Sequence, residues 1–505
     1  MSSQKKVIIV GVDGGTFDLI DRFIEEGHLP FIKRMKDEGV WSKMRSVDQT
    51  SRVPISPTIW TSLATGKRAE KHGITSFFNL QSDIESARLF EIFNNFGYKF
   101  GTMGWELTWP PEDYGAFTIP DNMARDDTAL PQKASVIQEM RRSAKKGKLS
   151  IMKNISFFIR LRRAGVSLKT LFQLSMHAIM TPNDKRVKMF ERLLLGNRVN
   201  EDVYFALMKE YDPQISFFFI PITDTAGHYY WKYFDDVAYP DITNDEKKKF
   251  GKYLLAVYEE TDRILARCNK TYPDADIFVV SDHGMRPISD GSFETISLKS
   301  GAFLEKAKLK GKVDFFHVGL NIVVVAKPEV GIDEDALYSF LKSMQIEPIG
   351  KTFFEIIEKD ETGRIFIKVR QTDKGEYKDF SYENLKVRMG MNTVLFKDIV
   401  EVNDIERFAD HDEWGIFLAI GKGIKNGVQI DDCDIYDFLP TLLASQGIPL
   451  AKDFDGKALD INVKNIEHKY TDTYDFLVKE REKKESTDDE IVKEELRRLG
   501  YLKDK

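Results

Sequence analysis

Cysteine is nearly absent: Cys268 and Cys433 are the only two in 505 residues, and they lie far apart. That excludes a disulfide framework and a cysteine-based zinc site. No uninterrupted apolar run approaches the ~18 residues a membrane-spanning helix needs. The amino-terminal Met1-Ser2-Ser3-Gln4-Lys5-Lys6 runs into an apolar strand without a cleavable leader of secretory type, so a cytoplasmic address is expected. Charge of either sign is not in excess. Lys plus Arg number 74 against 80 Asp plus Glu, a net −6. A nucleic-acid binder would ordinarily be basic overall, so no nucleic-acid partner is expected. Internal repeats are also missing.

What is present is an alternation of β-branched apolar runs with amphipathic stretches, which predicts βαβ units and a mostly parallel sheet flanked by helices. Val7–Val12, Tyr98–Gly104, Ile215–Ile220, Ile277–Val280 and Gly415–Ile420 read as core strands. Helices are predicted from Phe17 to Glu26, after Trp60, and over Asn200–Tyr211 and Phe250–Cys268.

Three of the strands end in residues that can bind metal. Val7–Val12 leads to Asp13, followed by Gly14 and Gly15; Ile215–Ile220 leads to Asp224; Ile277–Val280 leads to Asp282 and His283. Open α/β sheets gather their sites at the carboxyl ends of strands, so these side chains should converge. The pair Asp224 and His228 has i, i+4 spacing, which puts both on one side of a helical turn. An Asp N-cap with an incidental His would look the same. Adjacent Asp282 and His283 after four apolar residues cannot both enter a dry core unpaired. A metal ion, or a hydrogen-bonded Asp–His turn, would resolve that. His411, between Asp410 and Asp412, would complete a ligand set of the two-Asp, two-His and nucleophile type; taken alone it reads as a surface loop residue. Hydroxyls cluster at Ser51, Ser56, Thr58 and Thr61, and composition does not choose among them.

Two stretches interrupt the rhythm. Between Arg141 and Met180 there are ten Lys or Arg and no Asp or Glu, with apolar residues interspersed. This segment reads as a lid attracting an anionic substrate, as an interfacial helix making peripheral contact with an anionic membrane, or as a cap whose charges face water. The other stretch is β-rich, with Asn321–Ala326 as a strand and a hairpin at Lys359–Arg364. The expected organisation is a metal-binding core of residues 1–140, 200–290 and 405–465, a basic helical insertion at 141–199 and a β-rich inserted cap at 290–404. Residues 466–505 are expected to add a charged helical segment.

The run Ser56-Pro57-Thr58-Ile59-Trp60-Thr61-Ser62-Leu63-Ala64-Thr65-Gly66, followed by His72-Gly73-Ile74, resembles the nucleophile segment of the type I phosphodiesterase/nucleotide pyrophosphatase group in the alkaline phosphatase superfamily. Asp224 to His228, Asp282-His283-Gly284 and His411 resemble that group's metal motifs in order and spacing. Asp434–Leu443, Gly447-Ile448-Pro449 and Asp455-Gly456-Lys457 are similar to the closing segment of the superfamily core. The resemblance implies an α/β, alkaline-phosphatase-like fold. It implies two divalent ions, zinc or manganese, one held by Asp224, His228 and His411 and the other by Asp13, Asp282 and His283. Ser56 would be the nucleophile, passing through a phosphoseryl intermediate, with Gly14 and Asn79 near the substrate.

Two positions depart from the group. Ser56 stands where Thr is usual, and Phe77 where an Asn is usual, with Asn79 two residues on. Ser56 also lacks the Cys/Ser-x-Pro-x-Arg context of a sulfatase. The implied activity is hydrolysis of a small-molecule phosphodiester or phosphoanhydride. The alternatives are a phosphomonoesterase, a metal-dependent phosphomutase, a lipid or glycan phosphotransferase, and a non-catalytic metal-binding protein.

Overall fold

A computed structural model describes residues 5–46, 55–75, 79–145, 155–288, 294–318, 321–327, 330–359, 363–370, 382–404, 408–464, 466–479 and 481. The described residues form two compact units, one from 1–236, 240–287 and 409–495, the other from 237–239 and 288–408.

The first unit is built on one mostly parallel, nine-stranded sheet. Its centre is β1 (Val7–Val12), and its early strands are β2 (Val40–Arg45), β3 (Phe100–Met103), β4 (Gly115–Ile119), β5 (Ile215–Ile220) and β6 (Asp276–Val280). β1 lies between β5 and β6 and is parallel to both; β3 and β4 continue the sheet beyond β5. All six residues of β1 are buried, as befits a strand covered on both faces by helices. The strand Trp414–Ile420 runs antiparallel between β6 and β2.

This topology decides where the site forms. Gly11 pairs with Val280, so Asp13 and Asp282 emerge at the same level from adjacent parallel strands. Val12 pairs with Ile220, and the Asp13 N–H donates to the Ile220 carbonyl at 3.0 Å. Because Trp414–Ile420 runs the other way, its amino end lies where β6 ends. The residues just before it, Ala409–Asp412, form a short strand against Gly284–Pro287, with His411 opposite Met285. One antiparallel strand thus delivers His411 to the carboxyl end of a parallel sheet.

Helices α1 (Phe17–Glu25), α2 (Pro30–Glu38) and α3 (Ser56–Thr65) follow the first strands. All ten residues of α3 are buried. Trp60 anchors it, meeting Trp105, Phe217 and Phe219 edge-on at 5.3–5.7 Å. A Cβ on Gly11 would lie 2.6 Å from the Trp60 ring, so a glycine in mid-strand is what admits that ring.

His72 ties α3 to the loop after it. The Ile74 N–H donates to His72 Nδ1 at 3.1 Å, leaving the proton on Nε2 for Ser62 Oγ at 3.0 Å. Burial pushes the imidazole down from 6.5 to about 3. Between those values the unfolded chain takes up a proton that the folded chain refuses, so this group removes stability as pH falls below about 6.5. Urea melts at pH 7 and pH 5 are expected to show a decline about 2 kcal/mol steeper in the wild type than in His72→Gln. Equal declines would mean that His72 is protonated in the folded chain.

The basic segment is helical where it is described, with helices Ser135–Lys145, Ile155–Ala164 and Leu168–Ile179 leading into Lys185–Tyr211. The last is one continuous 27-residue helix, so the boundary expected at 199/200 falls inside an element. Among the described residues no helix is long and apolar enough to cross a membrane.

The described part of 466–505 contains no α-helix. It forms a two-residue strand at Tyr470–Thr471 and a 3₁₀ turn at Asp475–Leu477. Asp475 accepts the buried Lys67 Nζ at 2.6 Å and the Ala87 N–H at 3.0 Å, which anchors the chain in that form. Residues 482–505 lie outside the described residues.

The second unit carries two four-stranded antiparallel sheets. One is ordered Phe354–Lys359, Ile365–Val369, Asn321–Ala326, Val313–Val318 and contains the hairpin that pairs Lys359 with Ile365. Its own apolar core includes Phe303, Leu341, Phe353 and Ile367.

Candidate metal centre

Six side chains gather as two triplets, Asp224 with His228 and His411, and Asp13 with Asp282 and His283. Within each, the ligand-type atoms all lie within 4.8 Å of one another. The triplets adjoin, because the His283 and His411 rings stack with centroids 3.6 Å apart. Asp224 and His228 sit in the first turns of helix Ile222–Phe234, which starts directly after β5. Gly14 makes room for them. It adopts φ +64°, and a Cβ there would lie 3.1 Å from the Asp224 Cα and Cβ.

Proton positions make a cation the natural occupant. His228 Nδ1 lies 2.7 Å from the Ala409 carbonyl, which can only accept, so Nδ1 donates. In the neutral ring the lone pair is then on Nε2, 3.0 Å from Asp224 Oδ1. His283 repeats the pattern: Nδ1 donates to the Gly284 carbonyl at 2.9 Å. Its Nε2 lies 3.4 Å from Asp282 Oδ2 and 3.5 Å from Asp13 Oδ1. Asp13 Oδ1, Asp224 Oδ1, Asp282 Oδ2 and His283 Nε2 are all buried without a hydrogen-bond partner. Lone pairs facing one another in a dry site repel, and leaving such atoms unpaired is expensive. A divalent ion in each triplet removes both penalties, and carbonyl-oriented imidazoles with carboxylates are the donor set zinc and manganese accept.

The electrostatics agree. Burial, with the charges of Asp282, Asp224 and Glu106, pushes the Asp13 carboxyl well above the usual range. Burial also pushes the His283 imidazole down, against the opposing pull of Asp282. For Asp224 burial acts upward, but positive charge on His228 and His411 outweighs it and holds that carboxyl low, a charge that a bound cation would supply when the rings are neutral. Three buried carboxylates sharing one site call for positive charge.

Ser56 is the first residue of α3 and is buried. Of the other hydroxyls, Thr61 Oγ1 is engaged with the Pro57 carbonyl at 2.7 Å, while the buried Thr58 Oγ1 has no hydrogen-bond partner. Ser51 lies outside the described residues. Asn79 is in neither triplet. Its Oδ1 accepts the Thr75 N–H at 3.0 Å, and it lines a cleft with Gln81, Leu107, Trp109, Asp121 and Arg125.

Glu106 is the residue near the site that sequence reasoning missed. It follows β3, and its charge reaches Asp13. The rule that found Asp13 and Asp282 applies here too, since Tyr98–Gly104 was already legible as a strand. The loop is held with Leu107 at φ +55°, its carbonyl accepting from the buried Arg88 Nη1 at 2.9 Å.

Among models of protein families, that of type I phosphodiesterase / nucleotide pyrophosphatase matches residues 7–384. The chain belongs to this family. It is therefore a phosphoric ester hydrolase, on an α/β fold of alkaline-phosphatase type. The match takes in Asp13, Ser56, Asp224, His228, Asp282 and His283 and stops short of His411, whose place among the ligands rests on geometry. No curated protein matches the chain.

Proposed function

We propose that the chain hydrolyses a small-molecule phosphodiester or phosphoanhydride with two divalent metal ions and Ser56 as nucleophile. One observation carries the metal half of this reading: two adjoining triplets of carboxylates and imidazoles in which Asp13 Oδ1, Asp224 Oδ1, Asp282 Oδ2 and His283 Nε2 are buried without a hydrogen-bond partner. Asp224, His228 and His411 hold one ion, and Asp13, Asp282 and His283 the other. When bound, the pair would supply Lewis-acid stabilisation of the attacking and leaving oxygens of an in-line displacement.

The chain's own groups do the rest. Ser56 Oγ releases its proton to solvent and forms a bond to phosphorus as the bond to the leaving oxygen breaks, and the leaving oxygen takes up a proton from solvent, so that protons balance. A water molecule then attacks the phosphoseryl group, breaks its Oγ–P bond and restores the serine hydroxyl. Burial at the start of α3 excludes competing water and presents the hydroxyl at the positive end of a helix dipole. His72 takes no part as base, since its Nε2–H is committed to Ser62.

Metal analysis together with hydrolysis of bis-p-nitrophenyl phosphate and p-nitrophenyl phosphate tests the proposal. The expected result is two zinc or manganese ions per chain and faster turnover of the diester. Preference for the monoester would make the chain a monoesterase or mutase. Fewer than two bound ions would overturn the two-metal reading.

A further inference from the structure

The hairpin of helices Ile155–Ala164 and Leu168–Ile179 already has a satisfied inner face. Phe157, Leu161, Ala164, Val166 and Leu174 are buried there. Its turn is fixed to helix Lys185–Tyr211, where Asp202 accepts the Ser167 N–H at 2.9 Å and Thr170 Oγ1 at 2.6 Å. Ser167 Oγ in turn caps the Thr170 N–H at 3.2 Å. With one face buried and the turn pinned, the other face is held outward.

A surface helix would place polar residues on that outer face. This hairpin does not. Leu168 is 71% exposed, Phe172 66% and Ile179 78%, with Met176 and Met180 also exposed. The positions 168, 172, 176 and 179 fall within an arc of roughly 80° and form a stripe along the helix. Ile155 and Ile159 are exposed on the preceding helix, one turn apart. Exposed Arg162 and Arg163 follow them at i+7 and i+8 from Ile155, on the same face, and exposed Lys169 adjoins Leu168. From 141 to 180 no acidic side chain dilutes this charge, although the whole chain is net negative.

We propose that this hairpin is a membrane-docking surface that rests on an anionic lipid bilayer. The apolar stripe enters the boundary between headgroups and acyl chains, while Arg162, Arg163 and Lys169 reach the lipid phosphates. Charge complementarity selects the occupant. On these two helices every charged side chain beside the apolar stripe is a cation, while Glu139 and Glu191 of neighbouring helices pair with Arg160 and His177; an apolar stripe edged by cations is what an interfacial helix requires. Between those cations the stripe offers aliphatic, thioether and phenyl groups, and Ser175, which borders it, donates its hydroxyl to the Leu171 carbonyl at 3.0 Å rather than to a partner. Since no described helix can span a bilayer, the contact is peripheral.

Sedimentation of the full chain with vesicles tests this independently of the chemistry at the metal centre. The vesicles are phosphatidylcholine alone, or phosphatidylcholine with roughly one-third phosphatidylglycerol. Wild type is expected to pellet with the anionic vesicles, less so at high salt. Each cation is worth about fivefold near such a surface, so the triple variant Arg162→Gln, Arg163→Gln, Lys169→Gln should bind on the order of 100-fold more weakly. Leu168→Ser, Phe172→Ser, Ile179→Ser should bind at least ~10-fold more weakly. Both variants should melt with the wild type, because the replaced side chains are exposed. Absent binding, equal binding to both vesicle types, or variants that bind like wild type would overturn the proposal. So would a wild-type dimer that the apolar variant converts to monomer, since the face would then join two copies of this chain.

Discussion

Ser56→Ala is expected to lower kcat on a phosphodiester by at least ~10³-fold, about 4 kcal/mol of transition-state stabilisation, while both metal ions stay bound. The size follows from the role proposed for Ser56, because removing an atom that forms the covalent bond would leave only binding and electrostatics. Metal retention follows from the geometry, since Ser56 belongs to neither triplet and alanine continues the first turn of α3 without strain. The informative control is Thr58→Val. Thr58 is also buried on this helix, and its hydroxyl has no hydrogen-bond partner, so a nucleophile misassigned by two residues would fall there. Thr58→Val should keep most of the activity. If Ser56→Ala retained more than about one per cent of wild-type turnover and Thr58→Val lost it, Thr58 would be the nucleophile.

The parts of the fold legible in the sequence were those where local pattern and global topology say the same thing. β1, β5 and β6 are short β-branched or aromatic runs followed within four residues by a carboxylate, and a strand buried on both faces needs such an apolar run. Asp224 and His228 were legible because helical spacing alone puts them on one side. His411 was not legible by itself. Its sequence neighbours are acidic, and only the antiparallel course of Trp414–Ile420 and the pairing of His411 with Met285 bring it to Asp224, at 3.4 Å.

Other features depended on tertiary contacts with no local signature. The start of α3 at Ser56 rather than after Trp60 is set by Pro57 in its first turn and by the ring of Trp60 over Gly11. The course of 470–477 is set by Lys67, 408 residues before Asp475. Periodicity cannot report a partner so distant. The exposed stripe on Leu168–Ile179 was half visible. Its residues were plainly apolar, but only the structure separates the buried Leu174 from the exposed Phe172.

Asp282→Asn should change the stability of the metal-free and metal-loaded proteins in opposite directions. Without metal, Asp13, Asp224 and Asp282 place three carboxylates in one buried site, and their mutual repulsion adds to the penalty of burial. Asparagine has nearly the same shape and can still accept the Gly14 N–H, which lies 3.5 Å from Asp282 Oδ1. The variant therefore removes a charge without opening a cavity, and in EDTA it should melt above the wild type. With zinc or manganese the order reverses. An ion that binds only the folded chain stabilises it by RT ln(1 + [L]/Kd), about 3 kcal/mol at a hundredfold excess over Kd, and a neutral amide forfeits most of that. Turnover should fall at least ~10³-fold with the loss of one of the two ions. The sign of the melting difference separates two roles that activity alone would confuse. A structural hydrogen-bond acceptor would give a variant less stable by the same margin with and without metal, whereas a metal ligand requires the two melting curves to exchange order.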